Sequence, residues 1–185
     1  MPPHTTRRSS PSAPTSEDAF RALDDCHRQT LQALGALRDL LARVETNGTD
    51  ARARAMAREI AHHFGVVNRQ HHEDEERHVF PKLAESADPD VVKAVLRLQQ
   101  DHDWLEEDWM ELSPHVEAIA SGRPWYDLAE LRDSVAAFSA LSQDHVALEE
   151  SVIYPQARTQ LRSDERQEMG REMAARRRNA RAAGR

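Results

Sequence analysis

The sequence predicts an all-α protein: an antiparallel up-down-up-down four-helix bundle with a short C-terminal helical extension. Three observations carry this. Apolar residues recur at steps of three, four and seven in four separate stretches, the period of one helix face. No stretch sustains the period-two alternation of a strand. Glycine is scarce, at 6 of 185 residues, while Ala, Leu, Glu and Arg, all good helix formers, abound. The connections between stretches are too short for long crossovers, which favours antiparallel neighbours.

Residues 1–15 are rich in Pro, Ser, Thr and Arg and read as a disordered tail. A first helix starts at Ser16, with Glu17 and Asp18 in its first turn. Its stripe is Phe20, Leu23, His27, Leu31, Leu34 and Leu41, and TNGTD at 46–50 stops it. The second stripe is Met56, Ile60, Phe64, Val67, His71 and Glu75, ending at or just beyond Pro81. The third is Val91, Val95, Leu98, His102, Leu105, Trp109 and Leu112, followed by SGRP at 121–124. The fourth is Leu128, Leu131, Val135, Phe138, His145, Glu149 and Val152, halting at Pro155. The bundle is therefore expected over residues 16–160, with a weaker helical extension and an Arg-rich tail over 161–185.

Each stripe holds one histidine where an apolar residue belongs: His27, His71, His102 and His145. A buried imidazole without a partner costs about 1–3 kcal/mol. Glu75 and Glu149 each follow a striped histidine by four residues, so each shares its histidine's face. Four imidazoles and two carboxylates converging in a dry interior suit iron, manganese or zinc, and two carboxylates able to bridge suit a pair of metals. The second and fourth helices also repeat one pattern: HHEDEERHVFP (71–81) and HVALEESVIYP (145–155) share His, Glu-Glu, an aromatic residue and Pro at the same spacing. Pseudo-symmetric halves of one site explain that repeat. A ferritin-like site needs Glu-x-x-His on two helices; Glu59 with His62 and Glu75 with His78 have that spacing, but both lie on the second helix.

With these motifs in view, and DHDWLEED around His102, the chain resembles the hemerythrin-like domain family over about residues 17–160. The resemblance implies a four-helix bundle holding two iron ions in a non-heme, carboxylate-bridged di-iron centre. Its implied ligands are His27, His71, Glu75, His102, His145 and Glu149, with Glu75 and Glu149 bridging. There is one departure. Oxygen-carrying hemerythrins have His-x-x-x-His on the third helix, and here the residue four after His102 is Glu106. The chain thus resembles a four-histidine subgroup, in which one iron keeps an open or water-filled position or takes Glu106 as an additional ligand.

Neighbouring residues admit plainer roles. His72 shares a stripe with Gly65, Asn68 and Glu76 and is expected outside the ligand set. Glu76 and Glu150 are either acceptors for ligand imidazoles or solvated acids. His63 and His78 read as surface or helix-end residues, Tyr154 and the tryptophans as packing, and Cys26 as a buried structural thiol.

Charge and composition narrow the function. The net charge is −7, yet residues 17–161 alone sum to −13, so nucleic acid is a poor partner for the folded body. The Arg-rich tail either contacts an acidic partner or is simply solvated. One cysteine excludes an internal disulfide, the N-terminus lacks a secretory apolar segment, and no apolar run spans a membrane, so a cytoplasmic location is expected. Three readings stay open: a protein that binds or senses O2, NO or peroxide in oxidative or nitrosative stress or iron homeostasis, an enzyme consuming peroxide or NO, and a metal-stapled structural or signalling module.

Overall fold

A computed structural model describes residues 16–183, which leaves the expected tail over 1–15 outside the described residues. The described residues are helical, with no strand among them. The first rod is α1 (Ser16–Asn47). The second comprises α2 (Ala51–His62), a π turn (His63–Val67), α3 (Asn68–His78) and α4 (Phe80–Ala84). The third is α5 (Pro89–Ser121). The fourth comprises α6 (Leu128–Leu148), a second π turn (Glu149–Ile153) and α7 (Tyr154–Gln160), and the chain ends in α8 (Ser163–Ala183). Contacts close into a ring, α1 against α2 and α6, and α5 against α2 and α6.

Local chemistry sets the rod ends. Asp50 caps α2 by accepting from the Ala53 amide at 2.8 Å, and Arg43 Nε reaches the same oxygen at 3.0 Å. Asp88 caps α5 through the Asp90 amide at 2.9 Å, with Pro89 in the first turn, where a missing N–H costs nothing. Asp127 caps α6 through two amides, at 2.7 and 3.0 Å. Gly122 stops α5 at φ 71°, a left-handed conformation open to a residue without Cβ.

The core is split. One apolar cluster contains Leu34, Leu37, Leu40, Phe64, Trp109, Leu112 and Phe138. The other contains Phe20, Leu23, Val79, Phe80, Leu98, Ile153 and Tyr154. Along every rod the striped histidine falls between residues of the two clusters, so a polar layer crosses the middle of the molecule.

All seven stripe residues of α5 are buried as expected. The other rods drift from their expected faces. On α1, Leu31 is 42 % exposed, and Thr30, Leu37 and Leu40 turn inward instead. On the second and fourth rods the cause is the π turns, whose i→i+5 bonds insert a residue and rotate the face that follows. The Asn68 amide bonds back to the His63 carbonyl and the Tyr154 amide to the Glu149 carbonyl. Asn68 is consequently buried where Val67 was expected, and Ile153 where Val152 was expected. The fourth rod also does not halt at Pro155. Proline occupies the first turn of α7, where it is tolerated, and the helix continues to Gln160.

The extension is more than a weak helical piece. α8 is 21 residues long and lies along α1, burying Met169 and Met173 in the cluster of Phe20 and Leu23. Its arginines meet acids of the same chain: Arg176 and Arg177 both reach the buried Asp74, Arg177 at 3.2 Å. His78 is tied to this helix by Glu172 at 2.7 Å.

Candidate metal centre

The polar layer brings all six predicted residues together. Donor atoms of His27, His71, Glu75 and Glu149 lie within 4.8 Å of one another, as do those of Glu75, His102, His145 and Glu149. Both carboxylates belong to both sets. Glu149 faces them with separate oxygens: Oε2 lies 3.0 Å from His27 Nε2 and Oε1 lies 3.2 Å from His145 Nε2. Glu75 Oε2 is 3.5 Å from His71 Nε2 and 3.6 Å from His102 Nε2. Ligand atoms at right angles on one ion, each about 2.1 Å from it, are about 3 Å apart, so these spacings match shared ions.

The polar atoms themselves support a cation here. Both ring nitrogens of His71, Nε2 of His102 and His145, Oε2 of Glu75 and both carboxylate oxygens of Glu149 are buried without a hydrogen-bond partner. Native interiors rarely leave such groups unpaired, and a cluster of them facing inward is what a metal would satisfy. Helical spacing explains each pair: His71 and Glu75, like His145 and Glu149, are four residues apart on one face.

Outer contacts aim the rings. His27 Nδ1 lies 3.2 Å from Glu150 Oε1 and His102 Nδ1 lies 2.8 Å from Glu76 Oε1. The acids following the two ligand candidates therefore hold imidazoles on other rods, the first of the two alternatives left open above. His145 Nδ1 faces Asp101 Oδ2 at 3.8 Å. In His27 and His102 Nδ1 meets a carboxylate and Nε2 faces the centre, the arrangement that orients a ligating imidazole; His145 Nδ1 and Asp101 Oδ2 make no hydrogen bond. Replacing Glu76 by Ala is expected to weaken metal binding about 10–100-fold while leaving the sites fillable, as metal titration of the purified variant would show.

Burial and charge pull the titrating groups apart. Burial, then the charge of Glu149, push Glu75 up to about 7. Burial also raises Glu149, but His145 and His27 outweigh it and hold the carboxyl well below its ordinary range. Burial, aided by His27, holds His71 far below the usual imidazole range and so neutral, the form that ligates. For His145 burial acts downward, but Glu149 and Asp101 override it and hold the ring at about 10.

Three residues gained roles the sequence did not assign. Tyr154 Oη donates to Glu75 Oε1 at 2.6 Å and lies 3.0 Å from His27 Nε2. It lies five residues after Glu149, and the π turn returns it to the same face. Asp101, whose charge faces His145 at 3.8 Å, was missed because that ring sits on a different rod, and within α5 its spacing pairs it only with Arg97 at 3.6 Å. His72, expected outside the ligand set, stacks on His102, centroids 3.9 Å apart. Glu106 sits apart from both sets, paired with Arg69 at 3.2 Å and half exposed. Cys26 is buried, and burial followed by Glu75 pushes its thiol up to about 12, an inert state.

His63 is also inside, with Nε2 3.0 Å from Thr30 Oγ1. Burial, then His62, push it down to about 4. The unfolded chain therefore binds more protons than the folded one between about pH 6.5 and 4, so stability falls as pH drops through that window. Above it His63 contributes no pH dependence. His63→Gln is expected to gain up to about 3 kcal/mol relative to the native chain between pH 7 and 4, measured by denaturant unfolding with both proteins in the same metal state. Parallel pH profiles would sink this.

These features define a helical protein built around a buried His/Glu cluster suited to cations. The chain belongs to the hemerythrin family, through the hemerythrin HHE cation binding domain, which its residues 18–181 match. It is also similar to a Haemophilus influenzae protein described as an uncharacterized protein, 28 % identical over 163 residues, which is 88 % of this chain and 92 % of that one. Among the described residues, no helix is long and apolar enough to cross a membrane.

Proposed function

We propose that this chain is a cytoplasmic non-heme di-iron protein, an antiparallel four-helix bundle of the four-histidine type, that binds or senses O2, NO or peroxide. One observation carries the reading: Glu75 and Glu149 each belong to both donor sets, the arrangement of two carboxylates bridging two ions. His27 and His71 would hold one ion, and His102 and His145 the other. A ferrous pair supplies electrons and an open position to a small ligand. The protein's part is to fix the imidazoles of His27 and His102 through Glu150 and Glu76, to hold Glu75 through Tyr154, and to keep bulk water out between the two apolar clusters.

A cavity favours a small-ligand role over a purely structural one. It is lined by His27, His71 and His145 together with Thr30, Asn68 and His72. Its volume of about 10 Å³ is room for about one water-sized molecule.

Metal content per chain and an absorption spectrum, taken on protein purified without chelator, test the reading. Two irons per chain are expected, with near-ultraviolet charge-transfer bands that change on adding azide, peroxide or NO. A single zinc, or no metal in a well-folded chain, would overturn it.

A further inference from the structure

A string of four polar side chains runs beside the centre, and its donors have one consistent order. Thr30 Oγ1 donates to Asn68 Oδ1 at 3.1 Å. Its single proton is thereby used, so His63 Nε2–H is the donor in the 3.0 Å contact with Thr30 Oγ1. Because Asn68 accepts through Oδ1, its Nδ2 donates to His72 Nε2 at 3.1 Å. A neutral His72 then carries its proton on Nδ1, which meets no acceptor among the described residues. The first π turn makes the string possible, because it returns Asn68, five residues after His63, to the face that meets Thr30.

Donor atoms of His72, His102 and His145 also lie within 4.8 Å of one another, but the ring geometry argues against His72 and His102 sharing an ion. The two rings stack 3.9 Å apart and only 9° from parallel. An imidazole binds a metal in its own ring plane. Two near-parallel planes a stacking distance apart share no point about 2.1 Å from both nitrogens. The Nε2 lone pair is also taken by Asn68.

His72, Asn68 and Leu105 line the cavity beside the site imidazoles. The same three residues line an adjoining space that continues to Arg69 and Glu106 at the surface. The two spaces lead inward from the Arg69–Glu106 pair, with the polar string along one side.

We propose that Thr30, Asn68 and His72 form the hydrogen-bonding wall of a subsite for the free end of a small acceptor ligand held at the centre, such as peroxide or azide, that end entering the water-sized spaces with His72 Nδ1–H as donor. This rests on the di-metal reading above. It makes the pocket selective for ligands that carry negative charge or lone pairs once bound, over neutral ligands that accept hydrogen bonds poorly.

Azide binding to the iron-loaded, oxidised full chain tests the subsite. It is read by a charge-transfer titration and by the infrared azide stretch. His72→Leu is expected to keep the native iron content, bind azide about tenfold more weakly and shift the stretch, as the loss of one hydrogen bond predicts. Thr30→Val, which keeps the side-chain volume but releases Asn68, is expected to weaken azide about threefold. His72→Gln, which restores a donor, is expected to recover most of the affinity. Native azide affinity in both His72→Leu and Thr30→Val would overturn the subsite and leave the di-iron reading standing. Loss of iron in His72→Leu would overturn it too, by making His72 a ligand. If His72→Leu does not fold, Thr30→Val decides alone. A native chain that holds no iron removes both readings together.

Discussion

Glu149→Ala is expected to empty both metal positions at once. Each oxygen of Glu149 faces a different set, Oε2 toward His27 and Oε1 toward His145, so on the proposed di-iron reading its loss would take a ligand from each ion and remove a bridge between them. On that reading, removing one of the four histidines would cost one ion a ligand, whereas removing Glu149 would weaken both and let them repel. Metal analysis of the purified variant should fall from two ions per chain to less than one. Stability gives a second reading. A metal that binds only the folded chain, at a thousandfold excess over its Kd, stabilises it by about 4 kcal/mol. A chelator should therefore lower the melting temperature of the native chain and leave that of Glu149→Ala almost unmoved. Glu106→Ala is the control, since Glu106 is half exposed and paired with Arg69; it should keep both ions. An ion lost from that variant would bring Glu106 into the ligand set.

What could be read in the sequence was whatever depends on one helix at a time. The α5 stripe is regular over seven positions, and every one is buried. The i, i+4 pairs and the single inward histidine of each rod needed only the helical period, and all six residues meet in one layer. Interactions between rods were not legible in this way. Asp101 matters because His145 stands opposite it, and no pattern in α5 announces that. The π turns were hidden for a different reason: hydrophobic spacing assumes 3.6 residues per turn, and each inserted residue rotates the remaining face. This is why a 3.6-residue period places Val67 and Val152 inward in place of Asn68 and Ile153, and why it gives Tyr154 a packing role and not a contact with Glu75. His63 read as a surface residue because its partner, Thr30, sits on another rod.

Removing the two methionines of α8 is the second large perturbation. The helix is mostly charged, with an apolar stripe reduced to Met169 and Met173, one turn apart and both nearly inaccessible. Burying a side chain of this size and then truncating it to Ala costs about 2–5 kcal/mol, so Met169→Ala and Met173→Ala should each lower the unfolding free energy by that order without changing the denaturant slope. A loss under about 1 kcal/mol for both would mean that α8 does not pack on α1. The arginines add a distinct signature. Asp74 is buried between His71 and Glu75 on α3, and its partners Arg176 and Arg177 are partly exposed. Removing the arginines strands a buried carboxylate, whereas removing Asp74 returns two cations to water, so the costs are unequal. Arg176→Ala with Arg177→Ala should destabilise by up to about 3 kcal/mol, Asp74→Ala by less, and the triple variant should recover part of the loss. Equal costs, or strict additivity, would show that the arginines contribute only surface charge. Recovery in the triple variant would show that α8 shields the one buried acid of α3 that no imidazole of the polar layer contacts, which ties the stability of the C-terminal helix to the backbone carrying His71 and Glu75.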